Sequence, residues 1–246
     1  MTELGLPDTI QACLFDLDGV VTRTAVVHAA AWKETFDEFL RGYEGERARP
    51  FDAVADYDEY VDGRPRADGV RTFLASRDID LPEGDPDDPP DARTVHGLGN
   101  RKNALVLEKI RTEGVEAYEG TLRYIHAVRS SGLRTAIVSS SANTRDVLRS
   151  IGAEELFDVR IDGVVAAERG LPGKPAPDTF QAAARDLGVE YRQAAVFEDA
   201  LAGMDAGRSG GFGYVVGVDR VGQSAALYAH GADVVVGDLA ELGGKE

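Results

Sequence analysis

The chain has 246 residues, with 43 acidic against 27 basic side chains and a formal net charge of −16. At about 150 residues per domain this length makes one large or two small domains, and a balance of 43% apolar to 28% charged residues is that of a folded globule. The charge excludes a general binder of nucleic acid or anionic membranes, and the single cysteine, Cys13, excludes an internal disulfide or a cysteine-built zinc site. No apolar run approaches the roughly 18 residues of a membrane span. The opening segment, MTELGLPDTIQACLFD, has no basic start leading into an apolar stretch, so no signal peptide is expected. A reducing, cytoplasmic compartment fits the cysteine count.

In chain order, 12–15 is a short apolar run and reads as a buried strand. Residues 25–41 read as a helix, with Val27, Ala31, Phe36 and Phe39 among its apolar positions, and 50–78 and 99–114 carry two or three further helical patterns. The segment 81–91, LPEGDPDDPPD, reads as an exposed loop or a disordered spacer. No strand is predicted between 24 and 117. Thereafter short β-like runs at 135–138, 157–161, 194–197, 214–218 and 233–236 alternate with helical patterns at 122–131, 144–150, 179–187, 200–207 and 224–229. That rhythm predicts a parallel sheet with helices on both faces, interrupted after its first strand by a helical insertion of roughly 90 residues. A glycine-rich run at 207–213 lacks nucleotide-binding spacing and reads as a loop between helix and strand.

Ligands of open α/β sheets bind beyond the carboxyl ends of the strands, and four such ends carry chemistry. The first strand runs into Asp16-Leu17-Asp18-Gly19-Val20. Residues two apart on a strand share a face, so two carboxylates project together. Such a pair asks for a cation, and Mg²⁺ prefers carboxylate and carbonyl oxygens; the alternative is an ordinary acidic turn. The second runs into Ser139-Ser140-Ser141-Ala142-Asn143, where a hydroxyl and the amides opening the next helix form an anion site, or cap that helix, or both. Lys174, in Gly173-Lys174-Pro175-Ala176-Pro177-Asp178, is a fixed cation before a helix or a solvated loop lysine. The strand 194–197 runs into Glu198-Asp199, a second acidic pair or helix-terminal acids. Singly each is ordinary; in this order after successive strands they form one constellation.

That constellation resembles the haloacid dehalogenase (HAD) superfamily of phosphotransferases, over essentially the whole chain. Asp16-Leu17-Asp18-Gly19-Val20 is similar to its first motif, Ser139 to the second, Lys174 to the third and Glu198-Asp199 to the fourth. The resemblance implies an α/β fold: a Rossmann-like parallel sheet core, residues 1–23 and 118–246, with an inserted helical cap domain at 24–117. It implies Asp16 as a nucleophile forming an aspartyl-phosphate and Asp18 as general acid and base. Ser139 and Lys174 would hold the transferring oxygens, and Mg²⁺ would be bound by Asp16, the backbone carbonyl of Asp18, Asp199 and Glu198.

Within the superfamily the chain resembles the β-phosphoglucomutase-like group. Thr24-Ala25-Val26-Val27-His28-Ala29-Ala30-Ala31-Trp32-Lys33 is similar to the start of that group's cap and puts His28 and Trp32 on one helical face. Asp62-Gly63-Arg64-Pro65-Arg66 resembles its substrate loop, Arg66 matching an arginine that grips the phosphate not being transferred. Arg101-Lys102-Asn103 resembles a second cap element, which places Lys102 and Asn103 near sugar or phosphate. With Gly63 of the cap and Ser141 and Asn143 of the core, these are the implied substrate contacts. Two positions depart from the pattern: Arg23, where relatives commonly carry an acid, and Ala142, in place of a basic residue. The implied activity interconverts β-glucose 1-phosphate and glucose 6-phosphate through the 1,6-bisphosphate. A sugar-phosphate phosphatase on the same scaffold is the alternative, and a non-catalytic phosphate-binding protein a third. The implied partner is a small sugar phosphate, neither nucleic acid nor membrane, and one core with one cap works as a monomer.

Overall fold

The structure is a computed structural model and describes residues 3–243. The chain divides into two compact units, Met1–Arg23 with Val115–Glu246, and Thr24–Gly114. β1 (Ala12–Phe15) opens the first unit. The second follows with α1 (Ala25–Glu44), a π-helical turn (Tyr57–Val61), α2 (Arg66–Ala75) and α3 (Val95–Glu113). The chain then re-enters the first unit through α4 (Glu119–Ser130), β2 (Arg134–Val138), α5 (Thr144–Ser150), β3 (Val159–Ile161) and α6 (Gly163–Arg169). It ends with α7 (Asp178–Leu187), β4 (Ala194–Glu198), α8 (Leu201–Ser209), β5 (Tyr214–Val218), α9 (Ser224–Ala229) and β6 (Val234–Val236).

The six strands make one parallel sheet in the order β3-β2-β1-β4-β5-β6. The four inner strands read ACLF, RTAIV, AAVFE and YVVGV and are buried except at Arg134 and Tyr214. Such near-continuous apolar runs are what a sheet covered on both faces requires. The strand order reverses direction at β1, so the crevice beyond β1 and β4 is the topological switch point where ligands of such sheets bind. Register fixes what meets there: Phe15 pairs with Phe197 and the two rings stack at 4.4 Å.

Two features differ from the sequence reading. Helix α6 is not among the predicted elements, because GVVAAER opens on a glycine and two β-branched valines, weak helix formers. Its signal lies at its ends: the buried Asp162 carboxylate accepts the amides of Val164 and Val165, and Gly170 closes the helix in the left-handed region. The glycine run read as a loop begins inside α8, where Gly207 packs so closely that a Cβ would meet Val215 at 3.3 Å and Val196 at 3.4 Å.

The second unit has no strand among its described residues and is built on an aromatic core. Phe36 is its hub, its ring 5.0 Å from Trp32, 5.3 Å from Phe51 and 4.1 Å from Phe73. The segment 81–91 is an exposed loop without helix or strand, held down at the start of α3. The Pro82 and Glu83 carbonyls accept the amides of Val95 and His96, and Asn100 Nδ2 donates to the carbonyls of Pro86 at 2.9 Å and Asp88 at 2.8 Å.

Candidate active site

Asp16 is the first residue beyond β1, and its amide donates to the Phe197 carbonyl at 3.0 Å. Glu198, the next residue along β4, therefore lies beside it, and Asp199 follows. One oxygen from each of Asp16, Glu198 and Asp199 falls within 4.8 Å of the others, and all three residues are buried. Lys174, on the loop before α7, points its ammonium into this group. It contacts Asp16, a Glu198 oxygen at 2.5 Å and the Val138 carbonyl at 3.1 Å. The other Glu198 oxygen accepts the amides of Asp199 and Ala200, both at 3.0 Å. Sequence neighbours of these four residues explain the close fit. Gly19 has φ +92° and a Cβ there would lie 1.7 Å from the Asp199 carboxylate; at Gly203 a Cβ would lie 1.9 Å from that of Glu198.

Asp18 is half-buried two residues beyond Asp16 and outside the triad, on a tight loop in which the amides of Val21 and Thr22 both donate to the Leu17 carbonyl. Ser139 is buried at the end of β2, its hydroxyl accepting the Ser141 amide at 3.1 Å. The Ser141 hydroxyl in turn accepts the Asn143 amide at 3.2 Å, and Asn143 precedes α5 without capping it through its side chain.

Burial pushes the Asp16 carboxyl well above the usual carboxylate range; Lys174 opposes this, while Glu198 and Asp18 reinforce it. Burial alone would pull the Lys174 ammonium down, but Asp16 and Glu198 more than reverse that, so it holds its proton. One ammonium among three buried carboxylates leaves excess negative charge in a low-dielectric pocket. An all-oxygen, carboxylate-rich set with negative charge in excess fits a hard divalent cation such as Mg²⁺.

In the second unit the Lys102 ammonium, itself buried, lies 2.8 Å from His28 Nδ1 and 4.9 Å from the Trp32 ring centre, so three of the sequence-selected residues come together there. Asn103 is half-buried next along α3, and Gly63 takes φ +68° in the turn before α2. Arg66, the first residue of α2, lies along α3 where Gly99 leaves room: a Cβ there would meet Arg66 Cγ at 3.1 Å. Arg66 is half-buried and pairs with no carboxylate among the described residues.

The sequence reading stopped at four strand ends; the structure adds a fifth. Beyond β5, Arg220 donates to the Gly19 carbonyl at 2.9 Å and Gln223 to the Asp199 carbonyl at 3.0 Å. The signal was Asp219-Arg220 directly after an apolar strand.

A Rossmann-like sheet whose switch point holds a buried carboxylate triad and a lysine is the arrangement that the motif resemblance implied for a phosphotransferase. Comparison with known proteins agrees: the haloacid dehalogenase-like hydrolase family matches residues 10–211. The chain belongs to that family. It is 55% identical over 245 residues to the β-phosphoglucomutases of Mycobacterium bovis and Mycobacterium tuberculosis, covering 97% of this chain and 94% of each relative. The crystal structure of a β-phosphoglucomutase from Clostridium difficile superposes with a TM-score of 0.75 at 26% identity, covering 95% of this chain and 93% of that one.

Proposed function

We propose that this chain is a Mg²⁺-dependent β-phosphoglucomutase, which interconverts β-glucose 1-phosphate and glucose 6-phosphate through an aspartyl-phosphate at Asp16. The observation that carries the proposal is the buried group of Asp16, Glu198 and Asp199 around Lys174. Transfer to a sugar rather than to water is favoured by the 55% identity to two mutases. Residues 1–23 and 118–246 are read as the catalytic core and 24–117 as its cap.

Phosphoryl transfer is catalysed mainly by positioning and by stabilising charge. Phosphorylated Asp16 gives its group to the C6 hydroxyl of β-glucose 1-phosphate. The bond from phosphorus to O6 forms as that to the Asp16 carboxylate breaks, and Asp18 takes the hydroxyl proton. The 1,6-bisphosphate then presents its C1 phosphoryl to Asp16. The carboxylate bonds to phosphorus, the bond to O1 breaks, Asp18 returns the proton to O1, and glucose 6-phosphate leaves. Lys174 stays cationic throughout, as its two carboxylate neighbours require. With the Ser139 hydroxyl it holds the transferring oxygens, a contribution that typically costs about 10²- to 10³-fold in rate when one donor is removed. Asp16, the Asp18 backbone carbonyl, Asp199 and Glu198 would hold Mg²⁺, which would supply positive charge against the repulsion between carboxylate and phosphate. Arg66 and Lys102 grip the other phosphate, and a half-buried guanidinium with no carboxylate partner among the described residues suits an incoming anion. His28, Trp32, Gly63, Asn103, Ser141 and Asn143 contact the substrate.

The test is ³¹P NMR of the chain with β-glucose 1-phosphate, Mg²⁺ and a trace of the bisphosphate. The glucose 6-phosphate signal should grow at the expense of the 1-phosphate. Accumulating inorganic phosphate would mean a phosphatase instead, and an unchanged spectrum with bound ligand a phosphate-binding protein.

A further inference from the structure

The loop 219–224 beyond β5 is tied to itself by one carboxylate. Asp219 Oδ1 accepts the amides of Val221 at 3.2 Å, Gly222 at 2.6 Å and Gln223 at 2.9 Å. Oδ2 accepts the Ser224 amide at 2.9 Å and the Ser224 hydroxyl. A loop closed this way holds its other side chains in fixed places, and two of them reach the acidic loops of the site. Arg220 Nε donates to the Gly19 carbonyl at 2.9 Å, and one terminal nitrogen reaches the Gly237 carbonyl at 2.6 Å and the Asp238 carboxylate at 3.3 Å. The other terminal nitrogen lies 3.5 Å from both the Val20 carbonyl and the Thr121 hydroxyl. Gln223 Nε2 donates to the Asp199 carbonyl.

We infer that this loop is a buttress that sets the β1 and β4 loops of the site together. Arg220 is a positioning residue for the loop carrying Asp18, and Gln223 for Asp199. Carbonyls beyond a strand end have no sheet partner, and a planar guanidinium with five donors satisfies several at once where a lysine cannot. The plane is held in turn: the Arg220 guanidinium lies 3.5 Å from the centre of the Tyr118 ring, which Arg23 also covers at 4.6 Å. Only 14% of the Arg220 side chain is exposed, so solvent does little to weaken these bonds. The two supported loops also press on each other, since no Cβ fits between Gly19 and Asp199. A shift of either loop therefore moves both, and with them Asp18 relative to the transferring group.

The inference rests on the phosphotransfer reading of Asp16 and Asp18. Its test is Arg220→Lys and Gln223→Leu in the full chain, assayed with β-glucose 1-phosphate, Mg²⁺ and trace bisphosphate. Arg220→Lys keeps a cation over Tyr118 but loses the fork. A misplacement near 1 Å costs on the order of 10²-fold, so its kcat should fall about 10- to 100-fold while KM stays within about 3-fold. In Arg220→Ala, added methylguanidinium should recover part of kcat. Gln223→Leu should weaken Mg²⁺ binding about 10-fold by calorimetry without substrate, an expectation set by one lost hydrogen bond to the ligand loop. Parental kcat in Arg220→Lys, or kcat and KM changing in equal measure, overturns the inference. Should the arginine variants fail to fold, Gln223→Leu decides it: parental Mg²⁺ affinity overturns it and weakened affinity upholds it. A parent chain that never isomerises removes the function and the inference together; an active parent beside unaffected variants removes the inference alone.

Discussion

Asp16 and Lys174 form a pair in which each residue is held by the other's charge, and they respond differently to substitution. Asp16→Asn keeps the volume and leaves an oxygen to accept the Lys174 bond, so the fold survives while the nucleophile is gone. Turnover should fall by about 10⁴-fold or more, as for other removals of a single covalent-catalysis residue. No phosphoryl adduct should appear by mass spectrometry after incubation with the bisphosphate, while far-UV circular dichroism matches the parent. A variant that still gains phosphoryl mass would move the nucleophile elsewhere. The grouping of Asp16 with Lys174 and Glu198-Asp199 was legible in the sequence because the acids directly follow apolar runs and the lysine sits in a proline-flanked loop before a helix. Arg220 carries the same signal, Asp219-Arg220 after an apolar strand, but its role was hidden because its targets are the carbonyls of Gly19 and Val20, and backbone acceptors leave no mark in a sequence. The pairing of Lys174 with Glu198 as well as Asp16 was equally hidden, since it depends on which strands are neighbours.

Among the elements, those with a strong period were read to within a few residues: β5 and α9 fall where the pattern put them, and α1 ends three residues beyond it. Helix α6 was lost because its seven residues carry poor propensity and its stability comes from Asp162 and Gly170 at its ends. Strand order was not readable either, because β1 finds β2 and β4 through packing across more than a hundred residues of chain. The 219–224 loop shows how one residue can set an element. Burial pushes the Asp219 carboxyl up, but the Ser224 hydroxyl and the amides of Gln223, Gly222 and Val221 outweigh it and hold it below its usual value. A depressed folded pKa means that the unfolded chain binds more protons in the window between the two values, so stability there rises with pH. The contribution is complete above the unfolded value of about 4 and is lost as pH falls through the folded one. Melting temperatures measured from pH 7 down to pH 3 should therefore drop more steeply for the parent than for Asp219→Asn, whose amide does not titrate there. Parallel curves would show that the Asp219 cradle adds no pH-dependent stability.

At the level of the whole molecule, the two units carry different halves of the proposed chemistry, and a bisphosphate intermediate needs two phosphate sites where a phosphatase needs one. The first unit has the carboxylate triad and Lys174; the second gathers Lys102, His28 and Trp32, and its half-buried Arg66 pairs with no carboxylate among the described residues. A buried lysine and a half-buried arginine in one small helical unit are the proposed grip on the second phosphate. Arg66→Ala and Lys102→Met test this, the methionine keeping the packing over Trp32. A hydrogen bond to a charged group contributes about 1.5–3 kcal/mol, so each variant should lose roughly 10- to 150-fold in isomerisation of β-glucose 1-phosphate. Phosphorylation of Asp16 by acetyl phosphate, a donor with no second phosphate, should continue at the parental rate. The split between the two donors is the informative readout, because damage to the fold or to the first unit would slow both alike. If isomerisation keeps its parental rate in both variants, the grip on the second phosphate lies on other residues.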